Sequence, residues 1–102
     1  MPPVYEVRLA RDAATELEAI PVYYRRVIEQ AIRAQLSVEP TRMSRNRKPW
    51  LNLAAPWSSE HAVWELRVRS YRVFYDVDPV EPIVFVRAIR LKRRGLRTED
   101  VL

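Results

Sequence analysis

The chain has 102 residues, 48% of them hydrophobic, with a formal net charge of +5 and a sequence pI of about 10.1. That size supports one domain, 1–102, with a core of its own, and the apolar content excludes an intrinsically disordered chain. The absence of cysteine excludes disulfides and thiolate metal sites; one histidine and a single glycine leave no zinc constellation and no glycine-rich phosphate loop, so chemistry without metal or cofactor is expected.

Val4 to Leu9 reads as a short strand with imperfect alternation. Asp12 is positioned to cap a helix whose apolar face is Ala13, Ala14, Leu17 and Ile20. Pro21 breaks that helix or opens the next one. Tyr24, Val27, Ile28, Ala31, Ile32 and Leu36 then recur at three- and four-residue intervals, which predicts a second amphipathic helix ending near Leu36. The short join between them implies a helical hairpin.

Residues 37–62 break the helical pattern. Pro40, Pro49 and Pro56 punctuate this stretch, and Trp50, Leu51, Leu53 and Trp57 give it apolar anchors. A long loop that packs down is expected, with a short strand near Trp50. From Trp64 the chain alternates: Trp64, Leu66 and Val68 fall on one face, Glu65, Arg67 and Arg69 on the other. After a turn at Ser70, Tyr71 to Val77 forms the second arm of a hairpin. Tyr71 and Tyr75 share the parity of Val73 and Val77, which assigns them to the core. Pro82 to Leu91 is a nearly continuous apolar run suited to a central strand. The order β-α-α-loop-β-β-β gives an α+β fold in which two helices cover one face of a twisted antiparallel sheet and leave the other partly open.

The positive charge is unevenly placed. Residues 1–36 hold five basic and five acidic side chains, whereas Arg42, Arg45, Arg47 and Lys48 have no acidic residue between Glu39 and Glu60. Arg87, Arg90, Lys92, Arg93, Arg94 and Arg97 have none between Glu81 and Glu99. Clustered arginine and lysine form the electrostatic footprint of a polyanion binder; a solvated basic surface, or one covered by an acidic protein, are the alternatives. No apolar run reaches the roughly 20 residues of a membrane span, and Met1-Pro2-Pro3 lacks a signal-peptide pattern, so a cytoplasmic protein without membrane contact is expected.

Arg45-Asn46-Arg47-Lys48-Pro49, the hairpin Trp64-Glu65-Leu66-Arg67-Val68 with Tyr71-Arg72-Val73-Phe74-Tyr75-Asp76-Val77, and the strand Ile83 to Leu91 leading into Lys92-Arg93-Arg94 together resemble the RelE/ParE superfamily. Its members are the toxin halves of bacterial type II toxin–antitoxin pairs. The resemblance implies a RelE-like fold: an N-terminal strand, a two-helix hairpin, then a three-stranded antiparallel meander. It also implies a cognate antitoxin wrapping the surface in a hetero-oligomer. Many members cut mRNA on the ribosome, others poison DNA gyrase, and some are non-catalytic.

In the nucleases the ribose 2′-hydroxyl attacks a phosphate held by fixed cations. By resemblance Arg72 matches a phosphate-binding arginine, Arg67 falls where a basic residue stands, and Lys92 lies near a second arginine that stabilises the transition state. Glu65 occupies the position of a lysine, and the C-terminal tyrosine is missing, with Thr98 nearby. Glu65 or His61 could carry the proton; Glu65 could equally form an ion pair with Arg67 or Arg72. Arg72 has Asp76 or Glu65 as structural partners. Arg45, Arg47, Lys48, Arg69, Arg90, Arg93 and Arg94 are the candidates for holding ribosomal RNA, mRNA or an acidic antitoxin segment. The sequence thus points to an mRNA endoribonuclease, with a gyrase inhibitor and a non-catalytic binding protein as rivals.

Overall fold

The computed structural model describes residues 3–50 and 62–93. The elements follow in the order β1 (Glu6–Leu9), α1 (Arg11–Glu18), α2 (Val22–Leu36), β2 (Arg47–Pro49), β3 (Trp64–Val68), β4 (Tyr71–Asp78) and β5 (Ile83–Leu91). They build a five-stranded sheet ordered β1-β5-β4-β3-β2, with both helices on one side.

The helices form where apolar residues repeat on one face. Ala13 and Leu17 bury from α1, and Ile28, Ile32 and Leu36 bury from α2 at intervals of four. Helix α1 starts two residues earlier than the Asp12 cap implied: Ala10 is the N-cap and Asp12 lies in the first turn. An acidic side chain there still favours the positive end of the helix. Ile20 lies beyond the end of α1 yet remains in the core. Pro21 is the N-cap of α2, where its missing N–H costs nothing.

The helices press onto Trp64, Leu66 and Val68 of β3, Val73, Tyr75 and Val77 of β4, and Val84, Val86 and Ile89 of β5. Tyr75 is fully buried, as its parity requires, and its hydroxyl donates to the carbonyl of Pro40 at 2.7 Å. Each such aliphatic burial removes about 1.5–3 kcal/mol worth of apolar surface from water.

The sheet departs from the expected one in two respects. It is mixed, because β1 pairs with β5 in parallel, Glu6 opposite Ile83 and Leu9 opposite Val86. Two helices between β1 and the later strands carry the chain back over the sheet, so β1 enters beside β5 in the same direction. The second face is also less open than expected. Trp50, Val63, Phe74 and Ala88 form a separate apolar cluster there, with Trp50 edge-on to Phe74 at 5.2 Å. The expected strand near Trp50 is β2, which pairs with β3 through Arg47–Leu66, Lys48–Glu65 and Pro49–Trp64.

The β3–β4 hairpin closes with Val68 opposite Tyr71, leaving Arg69 and Ser70 in the turn. Arg69 has φ of +55°, a left-handed conformation that favours glycine. It therefore leaves the exposed strand face assigned to it by alternation. At the β4–β5 connection Asp78 accepts from the backbone N–H of Val80 and Glu81 at 2.9 and 3.3 Å. A bulge interrupts the β4–β5 ladder: Phe74 faces Ala88 and Tyr75 faces Val86, so Arg87 is the extra residue.

A candidate anion site behind the hairpin

The strand register places Lys48, Glu65, Arg67 and Arg72 on the face opposite the helices. Arg67, Arg72 and Arg90 are cross-strand neighbours on β3, β4 and β5. The next row holds Lys48, Glu65, Phe74 and Ala88. Three guanidinium-bearing positions thus stand side by side, with a carboxylate and an ammonium one step along the strands.

Arg72 is only 7% exposed. Its Nη1 donates to the carbonyls of Arg69 and Tyr71, each at 2.9 Å, which ties it to the hairpin turn. Its Nε lies 3.6 Å from Glu65 Oε1, too long for a hydrogen bond but close enough for a strong charge interaction. Burial holds the Arg72 guanidinium below its ordinary pKa, Arg67 adds to the depression, and Glu65 opposes it. Glu65 is 3% exposed, and its other oxygen lies 3.6 Å from Lys48 Nζ. Of the two partners weighed for Arg72, the structure selects Glu65.

Asp76 is engaged elsewhere. Arg87 donates to it from Nε and Nη2 at 2.8 and 3.2 Å, a bidentate pair on a carboxylate with no exposure. The same guanidinium lies 4.9 Å from the ring centre of Phe85. This pair sits beside the bulge, where Arg87 shares the face of Phe85, the ladder partner of Asp76.

The other candidates divide by surroundings. Arg47 points to the helix side: its Nη1 donates to the carbonyls of Gln35 and Glu39 at 2.7 and 3.1 Å, and its Nε donates to Ser44 Oγ at 3.2 Å. It binds the C-terminal end of α2 to the start of β2, where a cation also complements the helix dipole. Arg90 is ion-paired with Glu16 of α1, whose Oε1 also accepts from the backbone N–H of Ile89 at 3.1 Å. Arg45, Lys48, Arg67, Arg69 and Arg93 are exposed, and Lys92 is half-buried with its backbone N–H donating to the Ser70 carbonyl at 2.7 Å. His61, Trp57, Thr98 and Arg94 lie outside the described residues. Among the described residues no three His, Asp or Glu side chains converge on a possible metal position, and no helix is long and apolar enough to cross a membrane.

Residues 7–95 match the family described as the ParE toxin of type II toxin–antitoxin systems, parDE. The chain is a ParE-family toxin. Its fold is that of the toxin–antitoxin complex RelBE2 from Mycobacterium tuberculosis, with a TM-score of 0.69 at 22% identity over 88% of this chain and 93% of that one. It is equally similar to the archaeal RelE–RelB complex from Pyrococcus horikoshii OT3, with a TM-score of 0.69 at 17% identity over 90% of this chain and 99% of that one. No curated protein matches the sequence. The RelE/ParE resemblance and the α+β fold read from the sequence are therefore correct, as is the toxin role.

Proposed function

We propose that this toxin acts by binding its target, as an inhibitor of DNA gyrase, the activity that resemblance implies for the ParE branch. The observation that carries this reading is the state of Arg72. A catalytic phosphate clamp must meet a phosphate, but this guanidinium is buried, donates to two backbone carbonyls and is balanced by Glu65. Glu65 itself lies 3.6 Å from both Arg72 and Lys48, so its carboxylate is engaged as an ion-pair partner of two cations. Such a set holds a hairpin rigid; rigid hairpins present binding surfaces well.

The partner that restrains the toxin is a cognate antitoxin, as in the two solved complexes. A groove of about 340 Å³ lined by Val7, Leu9, Leu17, Glu29, Ile32 and Arg33 runs beside β1, the terminal strand of the sheet. An amphipathic or extended antitoxin segment suits that combination of apolar floor, charged rim and strand edge.

The second reading, mRNA cleavage on the ribosome, is supported by the row Arg67, Arg72 and Arg90. Two assays on the freed toxin separate the readings. Loss of gyrase supercoiling, reversed by antitoxin, with intact mRNA on programmed ribosomes is the expected result. Cuts at the ribosomal A site that vanish in Arg72→Ala would overturn it and place Arg72 in a nuclease site.

A further inference from the structure

The start of α2 exposes what most helices bury. Val22, Tyr23 and Tyr24 are 52%, 62% and 42% exposed. The two tyrosine rings meet edge to face at 5.2 Å, and Tyr24 continues to Tyr71 of β4 at 6.1 Å. Arg69, at the tip of the β3–β4 hairpin, holds its guanidinium 5.9 Å from the centre of the Tyr23 ring. The aromatic pair is thus fixed in orientation by its neighbours while much of its surface stays in water.

Along the start of α2 the charge is positive. The first turn of α2 has no acidic residue, Arg25 and Arg26 follow the tyrosines directly, and the next carboxylate along the helix is Glu29. Lys92 docks its backbone on the hairpin turn through Ser70. Arg69 over the Tyr23 ring and Arg25 and Arg26 next along α2 therefore put cations beside the aromatic pair.

We propose that Tyr23, Tyr24 and Arg69 form a platform for single-stranded nucleic acid, on which bases stack on the tyrosines while Arg69 meets the phosphate backbone. Unpaired strands expose both components at once: π-faces free to stack and phosphates spaced to meet successive cations. A duplex hides its base faces and would use the arginines alone. A protein partner would be expected to bring carboxylates to a patch with apolar contact, and it is the competing occupant in the test. The proposal does not depend on whether gyrase or mRNA is the toxin's target.

The experiment is fluorescence anisotropy of fluorescein-labelled dT12 and rU12 with antitoxin-free toxin, alongside a duplex of equal length. The wild type is expected to bind one or both single strands more tightly than the duplex. Tyr23→Ala and Tyr24→Ala should each weaken that binding about tenfold, whereas Tyr23→Phe and Tyr24→Phe restore it, because stacking needs the ring and not the hydroxyl. Arg69→Ala should lower the slope of log affinity against log salt by about one. Both tyrosines are exposed, so circular dichroism should find the variants folded. Wild-type toxin that ignores single strands, or alanine variants that bind them unchanged, would overturn the platform. So would alanine variants that lose only their affinity for the antitoxin, an outcome that would assign the patch to protein docking.

Discussion

Replacing Glu65 by glutamine keeps the shape of the side chain and removes its charge, which isolates the interaction with Arg72. At 3.6 Å and an effective dielectric of about 20, a unit charge pair is worth about 5 kcal/mol before desolvation is counted. Neutralising Glu65 also relieves the cost of burying a carboxylate, and Arg72 keeps its two carbonyl acceptors. Breaking a buried pair from one side costs 3–5 kcal/mol as a rule, so these reliefs set the expectation at the low end, about 3 kcal/mol. Lys48 contributes little to this figure, because its side chain is 57% exposed and solvent screens it. For a domain of this size the loss lowers Tm by about 10–20 °C. Urea denaturation at pH 7 checks it directly: the midpoint should fall while the m-value stays constant. A double-mutant cycle should find Glu65 coupled to Arg72 by more than 1 kcal/mol and to Lys48 by less. A folded Glu65→Gln protein within about 1 kcal/mol of wild type, or equal coupling to the two cations, would refute the view that the pair holds the hairpin.

Two further outcomes follow from buried polar contacts. Tyr75→Phe strands the Pro40 carbonyl without its donor and should cost about 1–2 kcal/mol by urea titration. Burial also raises the Tyr75 pKa above the ordinary tyrosine value, with Arg47 opposing. Stability from this phenol is present below the unfolded-state pKa near 10 and is lost as pH rises above it, so wild-type Tm should fall above about pH 10 by a margin that Tyr75→Phe removes. Arg47→Ala should cost about 1–3 kcal/mol by loosening the end of α2, with Arg47→Lys restoring only part of it, since an ammonium cannot match the guanidinium's fork to Gln35, Glu39 and Ser44; calorimetry on both variants decides this.

The elements with strong periodicity were legible in the sequence. Helix α2 ends at Leu36 where its apolar spacing stops, and β5 occupies the continuous apolar run. Tyr71 and Tyr75 lie on the helix-facing side because parity fixes a strand residue's side. What periodicity does not carry is partner and direction: an alternating pattern is the same for parallel and antiparallel neighbours, so the parallel seat of β1 was hidden. The site divides along the same line. Arg72 and Glu65 share a face by parity and could be paired on paper. Arg47 and Arg69 could not be placed, because each takes its orientation from a non-repeating feature: a helix end and a left-handed turn residue. The aromatic pair at Tyr23 and Tyr24 belonged in part to a predicted apolar face, and only the packing reveals that the helix start overhangs the core.

The union of the first strand with the last also governs when the molecule can become itself. On the ribosome, β1 emerges well before β5, its parallel partner, and waits for it. Long-range parallel pairing of this kind is slow to form and completes late. A nascent chain therefore cannot finish its sheet until β5 has been made and has found β1.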